Sequence, residues 1–163
     1  MADKPKVEFI DNPNPIKKKV RLEFGADPKS MIERADKNVA KLAGEFEEIF
    51  SSNVSDLATT MTAIRAGDDA DGSELRRLRR ILHDPRGQAG TFGYPLVSQV
   101  GDSACKFIDL SDQIEATEIE VLGMHIDALK AISGAKIKGD GGAVGTELMS
   151  GLRKVIQKYN DNR

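Results

Sequence analysis

The 163-residue chain holds two histidines, and they stand in unlike surroundings. His83 lies in the segment RRLRRILHDPRGQAGTFGYPL. On a helix that turns about 100° per residue, Leu75, Leu78, Leu82, Ala89 and Phe92 share one side. His83 falls well over a quarter-turn from the centre of that side, facing water. Its own stripe carries Arg76, Arg79, Arg80, Arg86, Gly87 and Gly90. An imidazole is a nucleophile that works near neutral pH. A guanidinium one helical turn away, as at Arg86, can pair with phosphoryl oxygens, even bidentately. An exposed contact of that kind is worth about 1 kcal/mol, enough to orient a phosphoryl group and too little to supply a whole rate enhancement. A glycine inside a helix costs about 0.5–1 kcal/mol relative to alanine, so two on one exposed face call for a reason other than core packing. Access is that reason: with no side chains at Gly87 and Gly90, a second protein can approach the imidazole closely. A cleared surface beside an exposed nucleophile suits transfer between macromolecules. A small-molecule pocket would be concave and mostly apolar. Arg76, Arg79, Arg80, Gly87 and Gly90 therefore read as the surface that meets a partner.

The run HDPRGQAGTFG resembles the motif of the histidine-phosphotransfer (HPt) family: a histidine, a basic residue three positions on, a glycine four on, then small residues and another glycine. His83, Arg86, Gly87, Gly90 and Gly93 stand in those places. The likeness is dense over residues 78–108 and extends loosely, as a helical layout, over 30–160. It implies that His83 is the phosphoacceptor, that Arg86 stabilises the phosphoryl group, and that the partner is the receiver domain of a response regulator, a hybrid sensor kinase, or both. It also implies that the receiver supplies the metal ion and most of the catalysis, so that this chain is a phosphoryl carrier in a two-component phosphorelay rather than an enzyme, with no cofactor of its own. Two positions depart from the family pattern. Arginine replaces the common lysine at Arg86, which keeps the charge. Pro85 stands where an aliphatic residue is usual; it removes one backbone hydrogen bond and is expected to kink the helix. Alternatively, Asp84 caps and Pro85 opens a new helix, which would put His83 at a helix start. A phosphorylation-independent HPt-like module that binds and regulates a kinase or receiver is the second functional reading. The dimerisation domain of a sensor kinase is a third, weakened because the chain has no motif for an ATP-binding domain.

Elsewhere the residues carry little chemistry. His125 borders the apolar side of its helix near Leu122 and Leu129, as a core histidine would. No carboxylate or thiolate partners stand at ligand spacing, so no metal site is expected. The run KGDGGAVGTE is glycine-rich but lacks the Lys-Ser/Thr ending of a phosphate loop and follows no strand, so it reads as a linker. Lys17, Lys18, Lys19 and Arg21 read as a solvated basic loop. The net charge of -2 argues against nucleic acid as a partner. The single cysteine, Cys105, cannot form an internal disulfide and reads as a buried thiol. No apolar run is long enough to span a bilayer, and the first residues carry no signal-peptide core, so a cytoplasmic location without membrane insertion is expected.

The elements that must position His83 are helices. Charged residues make up 31% and aromatics 5% of the chain, a balance that suits helices built on Leu, Ile, Val and Ala. Residues 1–28 hold four of the six prolines and two short apolar runs, VEFI and VRLEF, and read as an extended N-terminal arm. Residues 29–163 read as one helical, HPt-like domain. Asp27 and Pro28 can start a helix whose inward residues are Ile32, Ala35, Val39, Leu42, Phe46 and Ile49. Ser51-Ser52-Asn53 breaks that pattern, and Val54, Leu57, Met61 and Ile64 form a second, shorter helix. Ser73 caps the helix of His83, which Gly93 ends. Pro95 opens the next, with Leu96, Val100, Ala104, Phe107 and Ile108 inward. A long helix follows over 114–132, and a last one carries Val144, Leu148, Leu152, Val155 and Tyr159. Short links make the later neighbours antiparallel. The expected fold is all-α: an up-down four-helix bundle with additional N-terminal helices and the extended arm.

Overall fold

The computed structural model describes residues 27–110 and 114–161. The N-terminal arm expected over residues 1–28, its two apolar runs and its basic cluster thus lie outside the described residues up to position 26. Five helices follow in order: α1 Pro28–Ala66, α2 Ser73–Gln88, α3 Pro95–Leu110, α4 Ala116–Gly134 and α5 Gly142–Asp161. Among the described residues there is no strand, and the fold is all-α.

The chain divides into two units, residues 1–36 and 37–163. In the first, the described residues 27–36 are exposed and helical from Pro28 onward. Asp27 caps as expected: its carboxylate accepts the Lys29 N–H at 3.2 Å.

The second unit holds the core. Phe46, Phe50, Val54, Leu57, Met61 and Ile64 of α1 are buried at steps of three and four. This stripe runs straight across Ser51-Ser52-Asn53, so the two helices expected on either side are one. Serine and asparagine each cost only about 0.5 kcal/mol in a helix, whereas burying Phe50 and Val54 returns about 1.5–3 kcal/mol apiece. Just beyond the run, Ser55, Thr59 and Thr62 turn their hydroxyls back onto carbonyls one turn earlier, a bond that leaves the helix intact. The earlier part of the expected stripe is corrected too. Ile32, Ala35, Val39, Leu42 and Ile49 are exposed, Val39 by 57%, and of that set only Phe46 is buried. Periodicity marks which residues share a face, not whether another element covers it.

Phe46 stacks on Phe50 and Phe92 and tilts against Tyr94, which ties α1 to the turn after α2. The Tyr94 hydroxyl donates to Glu47 at 2.7 Å, and Lys138 reaches the same carboxylate at 3.0 Å. Helix α3 packs on α2, α4 and α5, and α4 packs on α5. Leu96, Val100, Ala104, Phe107 and Ile108 of α3 are buried as the spacing predicts, as are Leu122, Ile126 and Leu129 of α4. On α5, Leu152 is buried but Val144, expected inward, is exposed. Cys105 is buried, and burial raises its thiol pKa.

The glycine-rich linker before α5 docks on the start of α3. Gly139 donates its N–H to the Gly93 carbonyl at 2.7 Å and accepts the Leu96 N–H at 3.4 Å. Gly139, Gly141 and Gly142 all have positive φ, which explains why the run is glycine. No helix among the described residues is long and apolar enough to cross a membrane.

Candidate functional site

Helix α2 is capped one residue earlier than expected. Gly72, at φ +69°, holds the N-cap position and Ser73 is the first helical residue. The free N–H groups are met from upstream: Asp69 accepts from Glu74 at 2.8 Å and Leu75 at 3.1 Å, and Asp71 accepts from Ser73 at 3.0 Å. The helix then continues through Pro85 without a break. Leu78, Leu82, Pro85 and Ala89 are buried in one row, so the pyrrolidine ring fills an apolar slot while the Ile81 carbonyl lacks its usual donor. The alternative in which Asp84 caps a new helix is not what forms, and His83 stays on a helix interior. Helix α2 ends at Gln88, short of Phe92. The chain then turns, with Gly93 at φ +85° and the Tyr94 N–H donated back to the Ala89 carbonyl at 2.8 Å.

The His83 side chain is 55% exposed, and its Nδ1 lies 3.8 Å from the Asp84 carboxylate. Its neighbours one turn away differ in kind. Arg79 is bound through two nitrogens to Asp109 of α3, at 2.6 and 3.0 Å. That pairing raises the guanidinium pKa and lowers that of Asp109. Arg86 reaches Asp102 of α3 at 3.4 Å, and Lys106 holds the same carboxylate at 2.6 Å. Arg76 donates to the Asp71 carbonyl at 3.0 Å. Arg80 is exposed and has no carboxylate partner among the described residues. Gly87 is exposed, and a Cβ built on it meets nothing within 4 Å. Gly90 is corrected in position: it lies beyond the end of α2, donates its N–H to Ser98 Oγ at 3.1 Å, and so faces α3.

Three pairs therefore stitch α2 and the turn after it to α3: Arg79 with Asp109, Arg86 with Asp102, and Gly90 with Ser98. Each step forward on α2 is matched by an equal step back on α3, the signature of an antiparallel pair in fixed register. Gly101 of α3 faces α2. A Cβ there would stand 3.3 Å from Arg86 Cβ and 3.4 Å from the Leu82 carbonyl oxygen. Asp102, Lys106, Asp109 and Gly101 were not singled out from the sequence. The available signal was the polar row Ser98, Asp102, Lys106 and Asp109 along an otherwise apolar helix.

His125 is fully buried. Its Nδ1 is 2.8 Å from the Val121 carbonyl, which can only accept, so Nδ1 carries the proton and donates. Nε2 then accepts from the Ser103 hydroxyl at 3.0 Å. Burial lowers the His125 pKa below 6.5, outweighing the Val121 bond. It is a neutral, satisfied core residue. Among the described residues no three His, Cys, Asp or Glu side chains are grouped to hold a metal ion.

Among the described residues, clefts open elsewhere. One of about 370 Å³ is lined by Glu47, Glu48, Tyr94 and Lys136 among others, and one of about 180 Å³ lies between α3 and α5 beside Tyr159. Neither includes His83. Comparison with protein-family models, with curated proteins and with solved structures found no match.

Proposed function

We propose that this chain is a histidine-phosphotransfer protein that carries a phosphoryl group on His83 to or from the aspartate of a response-regulator receiver. The observation that carries the reading is the face around His83: an exposed imidazole on a helix interior, open space at Gly87 one turn on, and Arg86 three residues on, its guanidinium resting on Asp102 of α3. In this reading α2–α5 form the up-down four-helix bundle of the family, with α1 added ahead of it. An imidazole nitrogen attacks the phosphorus of an aspartyl phosphate, the N–P bond forms, and the aspartate leaves as a carboxylate. This chain contributes the nucleophile and a cation for the phosphoryl oxygens. The receiver contributes the metal-assisted chemistry, as the resemblance implies.

The second reading, a module that binds a kinase or receiver without carrying phosphate, draws support from Arg79 and Arg86. Both are already matched by aspartates, so the face can dock a protein with no phosphate present. Incubation with a phosphorylated receiver separates the two. Acid-labile phosphate moving onto the chain supports the carrier; a stable complex with no transfer supports the binding module.

A further inference from the structure

We infer that Asp102 is a positioning residue that keeps Arg86 in reserve until His83 is phosphorylated. The inference rests on the carrier reading above and concerns how that site is regulated. Arg79 and Arg86 flank His83 on the same helix, four residues before and three after. Side chains at such spacings are neighbours, with Cβ atoms about 5–6 Å apart. The two arginines are held in different ways. Arg79 is gripped through two nitrogens by Asp109, whose carboxylate forms no ion pair with a second cation among the described residues. Arg86 makes one long contact, 3.4 Å, to a carboxylate that Lys106 already holds at 2.6 Å. The Lys106 distance is that of a strong charge-assisted bond; the Arg86 distance is not.

Asp102 can therefore release Arg86 and remain paired. A phosphoryl group on His83 would present three acceptor oxygens and a charge of about -2. It outcompetes a single carboxylate that is already half neutralised. The Arg86 stem starts against α3 at Gly101, where even an added Cβ would stand only 3.3 Å from Arg86 Cβ. Only the guanidinium swings, from the α2–α3 seam toward His83. Arg79 has no comparable exit and stays with Asp109. Asp102 thus sets how much of the Arg86 cation the phosphoryl group receives, and through it the lifetime of phospho-His83.

The test uses the full chain phosphorylated chemically with phosphoramidate, which transfers its phosphoryl group to the imidazole and releases ammonia. Loss of phosphohistidine is followed by ³¹P NMR in wild type, Asp102→Asn, Asp102→Glu, Arg86→Ala and the Arg86→Ala/Asp102→Asn double variant. Asp102→Asn is expected to lengthen the lifetime about two- to fivefold, the scale of an exposed ion pair. Asp102→Glu should return it to the wild-type value, and Arg86→Ala should shorten it. The double variant should behave as Arg86→Ala alone, because Asp102 acts through Arg86. An unchanged lifetime in Asp102→Asn overturns the inference and leaves the carrier reading standing. The same lengthening in the Arg86→Ala background also overturns it, since Asp102 would then act by its own charge. Failure of wild-type His83 to take up phosphate overturns the carrier reading and this inference together.

Discussion

The two imidazoles separate cleanly by what surrounds them. His83 meets solvent; His125 is enclosed, with Val121 accepting from Nδ1 and Ser103 donating to Nε2. The native chain therefore excludes a proton from His125 that the unfolded chain binds below about pH 6.5. The unfolded state holds more protons there, so the contribution of this residue to stability is full above that pH and is lost as the pH falls through it. Urea melts between pH 7.5 and 5.5 should show stability dropping toward the acid side, with a slope approaching 1.4 kcal/mol per pH unit at the low end. His125→Gln should flatten that slope. Glu47, whose pKa is lowered chiefly by the Tyr94 hydrogen bond and then by Lys138, acts in a separate window. Its contribution is present above about pH 4.5 and lost only below it, so it leaves the His125 window clean. A pH-independent stability over 7.5 to 5.5 in wild type would contradict the buried neutral imidazole. The same surroundings explain what could be read in advance. The face of His83 followed from spacing along a single helix. Asp102 and Lys106 did not, because they come from α3, and no local spacing reports which groups a neighbouring helix brings.

At the scale of the helix pair, Gly87 and Gly101 make opposite demands. Gly87 faces open space, so Gly87→Ala should stabilise the isolated chain by up to about 1 kcal/mol, and Gly87→Gln should stay folded. Transfer from a receiver should slow in Gly87→Gln, where a long side chain projects into the arriving partner. Gly101 faces the Leu82 carbonyl and Arg86 Cβ. Gly101→Ala forces the seam apart by a few tenths of an ångström and should cost about 1 kcal/mol despite its better helix propensity. Thermal melts of both alanine variants, with transfer rates for Gly87→Gln, decide the matter. A Gly101→Ala protein at least as stable as wild type would show that this contact does not set the α2–α3 distance. Helix existence was legible wherever apolar residues recur at helical steps, and α3 and α4 took the faces expected of them. Two features were not. The merger across Ser51-Ser52-Asn53 depends on burial of Phe50 and Val54, which outweighs weak local preferences. The start of α2 depends on Asp69 reaching forward five and six residues, beyond the usual capping distance.

For the molecule as a whole, α1 contributes to the same core as the helix that carries His83. Leu57 is as deeply buried as Leu78 and Leu82. Leu57→Ala should cost about 2–5 kcal/mol, a large share of the roughly 5–15 kcal/mol that a domain has in total. Leu42→Ala, on the exposed stretch of the same helix, should stay within about 0.5 kcal/mol of wild type. Equal costs at the two positions, measured by urea unfolding, would mean that the covered and uncovered parts of α1 are misassigned. In the carrier reading proposed above, the core holds one exposed imidazole in a fixed frame and that imidazole carries phosphate. The most direct test of that reading is to phosphorylate the full chain from a phosphorylated receiver, digest it under alkaline conditions and map the acid-labile phosphate by mass spectrometry. The carrier account predicts one phosphoryl group, on His83, and none on the His83→Gln protein, whose circular dichroism should match wild type. Phosphate on another residue, or undiminished labelling of His83→Gln, would contradict it.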